Sequence, residues 1–194
     1  LEWNAYFANS IKEIDNSLKV YKILDLEKAQ IDLILTEKQI DNSEFWSFIS
    51  SNYLDFLLKN ILVIFRIINN YNEYKTKTVN YTDIYIDIIK EHLTVKGDDR
   101  DELVTQKSLT ELIDISSSLA TYMILNRQST ISTDDNLSIL TDKLYMVNMS
   151  LISIDDLKII LNSSLFDKEG NSFSFFHKSM QEFLMAYFIN KKSL

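Results

Sequence analysis

The chain has 194 residues, a formal net charge of −8, 46% hydrophobic content, no cysteine, no proline and two histidines. Lack of cysteine excludes disulfides and cysteine-based metal sites, and two histidines argue against a histidine-rich zinc centre. The acidic balance argues against a broad surface for nucleic-acid phosphates.

Only two glycines, Gly97 and Gly170, punctuate the sequence, which favours long helices over many short strands. Residues 1–19 carry Trp3, Tyr6, Phe7, Ile11, Ile14 and Leu18 at helical spacing. Val20–Leu24 alternates as a short strand does. Asp25 then offers a cap for a helix that buries Ala29, Ile31, Ile34 and Leu35. Asp41-Asn42-Ser43 is a second cap, before Phe45-Trp46 and Phe48-Ile49. The aromatic residues here, with Tyr53 and Phe56, read as helical core rather than a partner surface. A third run holds Leu54, Leu57, Leu58, Leu62, Phe65 and Ile68, with a break near Asn60. Thr82-Asp83 starts a helix with Ile84, Tyr85, Ile88, Ile89 and Leu93.

Lys96–Glu102, reading KGDDRDE, is the best boundary between domains. Its acids, Asp98, Asp99, Asp101 and Glu102, read as a solvated loop rather than a cation site. Leu109, Leu112, Ile113, Ser116, Leu119, Ala120 and Met123 form a helical stripe. Ser132–Asp135 and Ser153–Asp156 are cap clusters for two further helices. Residues 164–176 predict a β-hairpin, Ser164–Phe166 and Phe173–Phe176 joined by the glycine-bearing turn Asp167–Asn171, and a helix over 178–190 follows. The fold class is therefore mainly α: a helical bundle, then helices with a short β-hairpin of the kind that builds a winged helix. No run is apolar enough to span a membrane, and Arg66 interrupts the most apolar one, Ile61–Phe65. A soluble, cytoplasmic setting is expected. Leu1 in place of methionine suggests a fragment of a longer protein.

The richest motif is Phe173-Ser174-Phe175-Phe176-His177-Lys178-Ser179-Met180-Gln181-Glu182-Phe183-Leu184-Met185-Ala186. Here an alternating aromatic segment enters an amphipathic helix through a histidine. A helix start carries free N–H groups and partial positive charge, so a histidine there can meet an anion. It can equally be a cap or a core residue. Phe183, Leu184, Tyr187 and Phe188 read as packing, and Gln181 and Glu182 as surface hydrogen bonding. Leu151–Asp156, LISIDD, imitates a strand ending in magnesium-binding acids. A phosphate-binding loop needs G-x-x-x-x-G-K-[ST] upstream, and the two glycines lie too far apart to form one. Asp155 and Asp156 read instead as the first turn of a helix. No Ser/His/Asp arrangement has triad spacing.

The terminal motif resembles the end of the winged-helix domain in NACHT-type signalling ATPases of the STAND class. That class includes animal inflammasome receptors and bacterial antiphage sensors. Its pattern is roughly F-x-F-x-H-x-[ST]-h-Q-E-[FY]-h-A-A, with h apolar. Here it is carried by Phe173, Phe175 or Phe176, His177, Ser179, Gln181, Glu182, Phe183 and Ala186. Tyr21, Leu24, Leu26–Gln30, Ser43–Phe45 and Leu57–Leu62 resemble the helical domain after the ATPase core. Asn80–Tyr85 and residues 109–140 are similar to its later helix starts.

The resemblance implies three segments. Residues 1–20 would end or follow a nucleotide-binding domain, 21–105 would be a helical domain, and 106–194 a winged-helix domain. It implies that His177 approaches the β-phosphate of ADP. It also implies that Ile61, where the family usually has proline, lies beside the adenine. Isoleucine keeps an apolar wall there but loses the fixed backbone geometry. ADP or ATP, with magnesium, would be held through a P-loop core outside this chain. This chain alone would then be no ATPase, although its parent would be one. The implied partners are that core, a following sensor region and further copies on activation, with neither nucleic acid nor membrane. Two rival readings are a stand-alone helical adaptor and, least favoured, a winged-helix DNA reader.

Overall fold

The computed structural model describes residues 26–94, 107–132, 137–148 and 152–193. The expected elements at 1–25, the boundary at Lys96–Glu102 and the cap at residues 133–135 lie outside them. The chain divides into two compact units, Leu1–Ile84 and Tyr85–Leu194.

In the first unit, α1 (Lys28–Glu37) begins at Glu27, whose N–H donates to Gln30 Oε1 at 2.8 Å. The N-cap is thus Glu27, two residues beyond Asp25. Helix α2 (Asn42–Ser51) is capped as expected by Asp41, which accepts from the Glu44 N–H at 2.8 Å and the Ser43 hydroxyl at 2.6 Å. Those two donors, the hydroxyl first, hold the Asp41 carboxyl below its ordinary value. A 3₁₀ turn at Asp55–Lys59 leads to α3 (Ile61–Asn69), and the break falls at Asn60. A single turn, α4 (Tyr71–Tyr74), and then α5 (Tyr81–Thr94) follow. Asn80 and Asp83 exchange side-chain-to-backbone bonds of 3.1 Å, so α5 starts one residue ahead of Thr82. Phe45, Ile49, Ile64, Ile67 and Tyr74 are buried in this unit's core. Two aromatics depart from the sequence reading: Tyr53 is 83% exposed and Phe56 61%. Tyr53 directly follows the C-cap of α2, and Phe56 lies in the 3₁₀ turn after it.

The helix ends share an unusual backbone. Gln39, Tyr53 and Arg127 are non-glycine residues with φ of +55 to +57°. Each follows a helix C-cap, and the two N–H groups there return to carbonyls of the last turn. After α2, for example, Tyr53 N–H donates to Ser50 O and Leu54 N–H to Ile49 O. Such a Schellman end usually takes glycine. A chain this poor in glycine builds its helix ends with side chains in the left-handed region.

The second unit takes Tyr85–Thr94 of α5 and adds α6 (Leu109–Leu125), β1 (Ile131–Ser132), α7 (Leu137–Asn148), α8 (Ile154–Asn162), β2 (Phe166–Glu169), β3 (Ser172–Phe175) and α9 (Lys178–Lys192). Helix α6 opens on a capping box. The Ser108 hydroxyl accepts from the Glu111 N–H, and the Glu111 carboxylate accepts from the Ser108 N–H at 2.8 Å. Almost every residue from Leu112 to Met123 is buried, because α7, α8 and α9 all pack on α6. Three consecutive serines, Ser116–Ser118, keep its waist thin. Ser117 and Ser118 return their hydroxyls to the Asp114 carbonyl, whereas Ser116 Oγ is buried without a partner among the described residues.

The sheet is antiparallel with order β1-β3-β2. Phe166 stands opposite Phe175 with ring centroids 4.3 Å apart. Phe173 and Phe175 point inward while Ser172 and Ser174 are less buried, which is the period of two the sequence showed. Glu169 pairs with Ser172, leaving Gly170-Asn171 as a two-residue loop. Gly170 has φ +59° and Asn171 does not share its sign, the pattern of a type II′ turn. Strand β1, absent from the sequence reading, exists through its pairing with Phe173 and Ser172.

Candidate functional site

His177 sits where β3 gives way to α9. Strand pairing ends at Phe175, and the Phe176 N–H donates to Leu165 O at 2.9 Å, which fixes the exit of the strand. His177 then takes an extended φ of −143° and ψ of 131° and becomes the N-cap of α9. Its Nδ1 accepts from the Ser179 N–H at 3.2 Å and lies 2.8 Å from Ser179 Oγ. A backbone N–H can only donate, so Nδ1 carries no proton in this arrangement. The neutral ring therefore holds its proton on Nε2. His177 is exposed, so an N–H donor is offered at the surface of the strand-to-helix junction.

The helix behind it is anchored. Met180 and Leu184 are completely buried, and Phe183 stacks on Tyr85 at 4.7 Å with 10° between the planes. Tyr187 continues that stack from Phe183 at 6.2 Å. Lys191 Nζ reaches both carboxylate oxygens of Asp114 on α6 at 2.7 Å, and that carboxylate raises the Lys191 ammonium pKa. Glu182 pairs with Lys178 at 3.4 Å on the exposed face, in keeping with a surface role. Phe183, Tyr187 and Phe188 are only half-buried. Met180, a buried anchor beside Leu184, carries no signal in the motif beyond its spacing.

The second histidine enters a cluster that the sequence did not reveal. His92 Nδ1 lies 2.9 Å from Ser164 Oγ, which also donates to the His92 carbonyl at 3.2 Å. The Phe176 ring lies 5.1 Å from His92 and 6.5 Å from His177, so both histidines flank one phenylalanine. A serine–histidine pair can activate a nucleophile. Here the hydroxyl is shared with a main-chain carbonyl, and the pair fastens the end of α5 to the turn before β2.

Ile61 belongs to the first unit and is described there. It is half-buried and occupies the first position of α3, directly after the N-cap Asn60. Asn60 Oδ1 accepts from Leu62 N–H at 3.1 Å and Val63 N–H at 3.4 Å. An asparagine cap followed by the first helical residue is where proline is most at home. The Asn-Pro of the resembling pattern thus has a local meaning here, independent of any ligand.

Asp155 and Asp156 lie in the first turn of α8, as expected. Asp156 closes a capping box with Ser153 and lies 3.6 Å from Lys107. Among the described residues no group of three or more metal-ligating side chains converges. Asp98, Asp99, Asp101 and Glu102 lie outside them. No helix among the described residues is long and apolar enough to cross a membrane. Compared with known proteins, the chain matches no protein-family model and no curated sequence.

Proposed function

We propose that this chain is the regulatory helical and winged-helix portion of a NACHT-like STAND ATPase, closing over ADP and controlling nucleotide-dependent oligomerisation. The observation that carries the reading is His177. It caps a helix through Nδ1, at the exit of a hairpin, and so presents its remaining ring nitrogen as an exposed donor. In this reading that Nε2–H meets the ADP β-phosphate. The element order α6-β1-α7-α8-β2-β3, with β1 paired to β3, supports a winged helix for the second unit. Ile61, at the start of α3, supplies an apolar wall to the adenine. Magnesium and the phosphate-binding loop come from a core outside this chain, so the chain alone turns over no ATP. The setting is cytoplasmic, with copies associating once a trigger releases ADP; a defence role against phage is the most specific form of the proposal.

The physical logic is a two-state bias. ADP favours the closed arrangement and the trigger the open one, and each acts only through its differential affinity. A charge-assisted hydrogen bond from His177 contributes about 1.5–3 kcal/mol. That shifts a closed–open equilibrium by roughly tenfold to a hundredfold. The test purifies the product of the full open reading frame and quantifies bound nucleotide. His177→Ala and His177→Leu should both lose ADP and oligomerise without trigger. Full ADP retention by both variants, with only thermal stability reduced, leaves His177 as a cap and refutes the reading. A frame with no P-loop before residue 1 refutes it as well.

A further inference from the structure

Ser179 meets the His177 ring twice. Its backbone N–H donates to Nδ1 at 3.2 Å, and its hydroxyl oxygen lies 2.8 Å from the same nitrogen. Because Nδ1 of the neutral ring has no proton, the hydroxyl is the donor in that second, shorter contact. The main-chain bond is open to any residue at this position except proline, whereas the hydroxyl bond belongs to the serine. Ser179 is half-buried and His177 exposed, so the serine is the better-held partner. The other contact of the His177 ring among the described residues is with Phe176, whose centroid stands 6.5 Å away at 54°. That separation is at the far end of the range for ring pairs and does not fix the imidazole plane.

An unprotonated ring nitrogen offers a single lone pair, in the plane of the ring. Two donors converging on it therefore select one orientation and one tautomer. Turning the ring over about χ2 sets Cδ2–H against both donors, and moving the proton to Nδ1 sets an N–H against them. Either change leaves an N–H and an O–H without their acceptor. The main-chain bond alone, at 3.2 Å, is at the long end for an N–H donor and discriminates less. We propose that Ser179 is a positioning residue for His177: its hydroxyl locks the ring so that Nε2–H is the outward donor. The consequence for nucleotide rests on the reading in which that donor meets the ADP β-phosphate. A ring already turned and protonated for that contact has no orientational freedom to give up on binding.

The test records imidazole proton–nitrogen spectra of the isotope-labelled 194-residue chain at about pH 8, above the range in which imidazole side chains ordinarily charge. His177→Leu assigns the His177 signals by their loss. Wild type should show one tautomer, protonated at Nε2, and side-chain couplings of a single His177 rotamer. Ser179→Ala should show mixed tautomers and averaged couplings, and Ser179→Thr should restore the single state. Lys178→Ala changes the same helix start without touching either ring bond and should leave His177 as in wild type. One tautomer and one rotamer in Ser179→Ala would overturn the proposal, as would equal disturbance by Lys178→Ala. In the product of the full open reading frame, Ser179→Ala should weaken ADP binding by roughly twofold to tenfold, the factor one neutral hydrogen bond carries. A freed ring with ADP held as tightly as in wild type supports the positioning role and counts against the phosphate contact. A locked ring in Ser179→Ala refutes the positioning role and leaves that contact standing.

Discussion

Tyr53→Gly should stabilise the protein, because Tyr53 serves a backbone conformation that glycine occupies without strain. Tyr53 holds φ at +56° as the residue after the C-cap of α2. The left-handed region costs an L-residue about 1–2 kcal/mol through its Cβ. Glycine removes that cost but widens the unfolded ensemble, returning about 0.4–1 kcal/mol. No burial is lost, since the ring is 83% exposed. The net gain is about 0.5–1 kcal/mol. For a chain of this length that raises Tm by about 1–4 °C. Urea and thermal unfolding of wild type, Tyr53→Gly and Tyr53→Ala supply the assay. Alanine keeps the Cβ and should show no comparable gain. If alanine and glycine stabilise equally, the gain comes from removing an exposed ring, and the strain argument fails. If glycine destabilises, the turn after α2 does not hold the Schellman geometry. Gln39→Gly and Arg127→Gly should behave alike, and the three should add because they lie at separate helix ends.

Ile61→Pro should change stability by less than about 1 kcal/mol, because Asn60 is already extended at φ −100° and ψ 106°, as a residue before proline must be. Phe65→Pro, inside the same helix, should cost about 3 kcal/mol or more; denaturant midpoints that rank the two equally would contradict this account of α3. Ser116→Ala removes a buried hydroxyl with no partner among the described residues and should be neutral or stabilising by up to about 1–3 kcal/mol, whereas a loss above about 1 kcal/mol in calorimetry would contradict an unpaired hydroxyl. Acidification supplies the last test. The Ser108 backbone N–H, and then its hydroxyl, hold the Glu111 carboxyl below its ordinary 4.5. A depressed carboxyl stabilises the fold above the unfolded value and loses that contribution as pH falls through the folded value. Stability should therefore drop below about pH 4.5, and Glu111→Gln should flatten that part of the profile. A steeper acid loss in Glu111→Gln would reverse the sign of the argument.

What the sequence alone determined is what neighbouring residues decide. Asp41 and Ser153 each bond an N–H three residues ahead, so their cap signals could be read without knowing the rest of the chain; Asn60, read only as a break, caps α3 in the same local way. The hairpin followed from the alternation at Phe173–Phe175 and from Gly170, the one described residue whose positive φ a glycine supplies. Histidine at the start of the last helix was visible for the same reason, since its cap bond spans only two residues. Features that tertiary structure decided arise from residues far apart in sequence. Ile131-Ser132 has too few residues to carry a strand pattern and is a strand because β3 lies beside it. His92 meets Ser164 across 72 positions, and Phe176 then falls between the two histidines. Tyr53 and Phe56 were read as core because aromatic residues at helical spacing usually are; the turn after α2 leaves them exposed instead. Local hydrogen bonds leave a signature in order and spacing. Burial and cross-chain contact depend on which surfaces the folded elements happen to bring together, and no window of sequence encodes that.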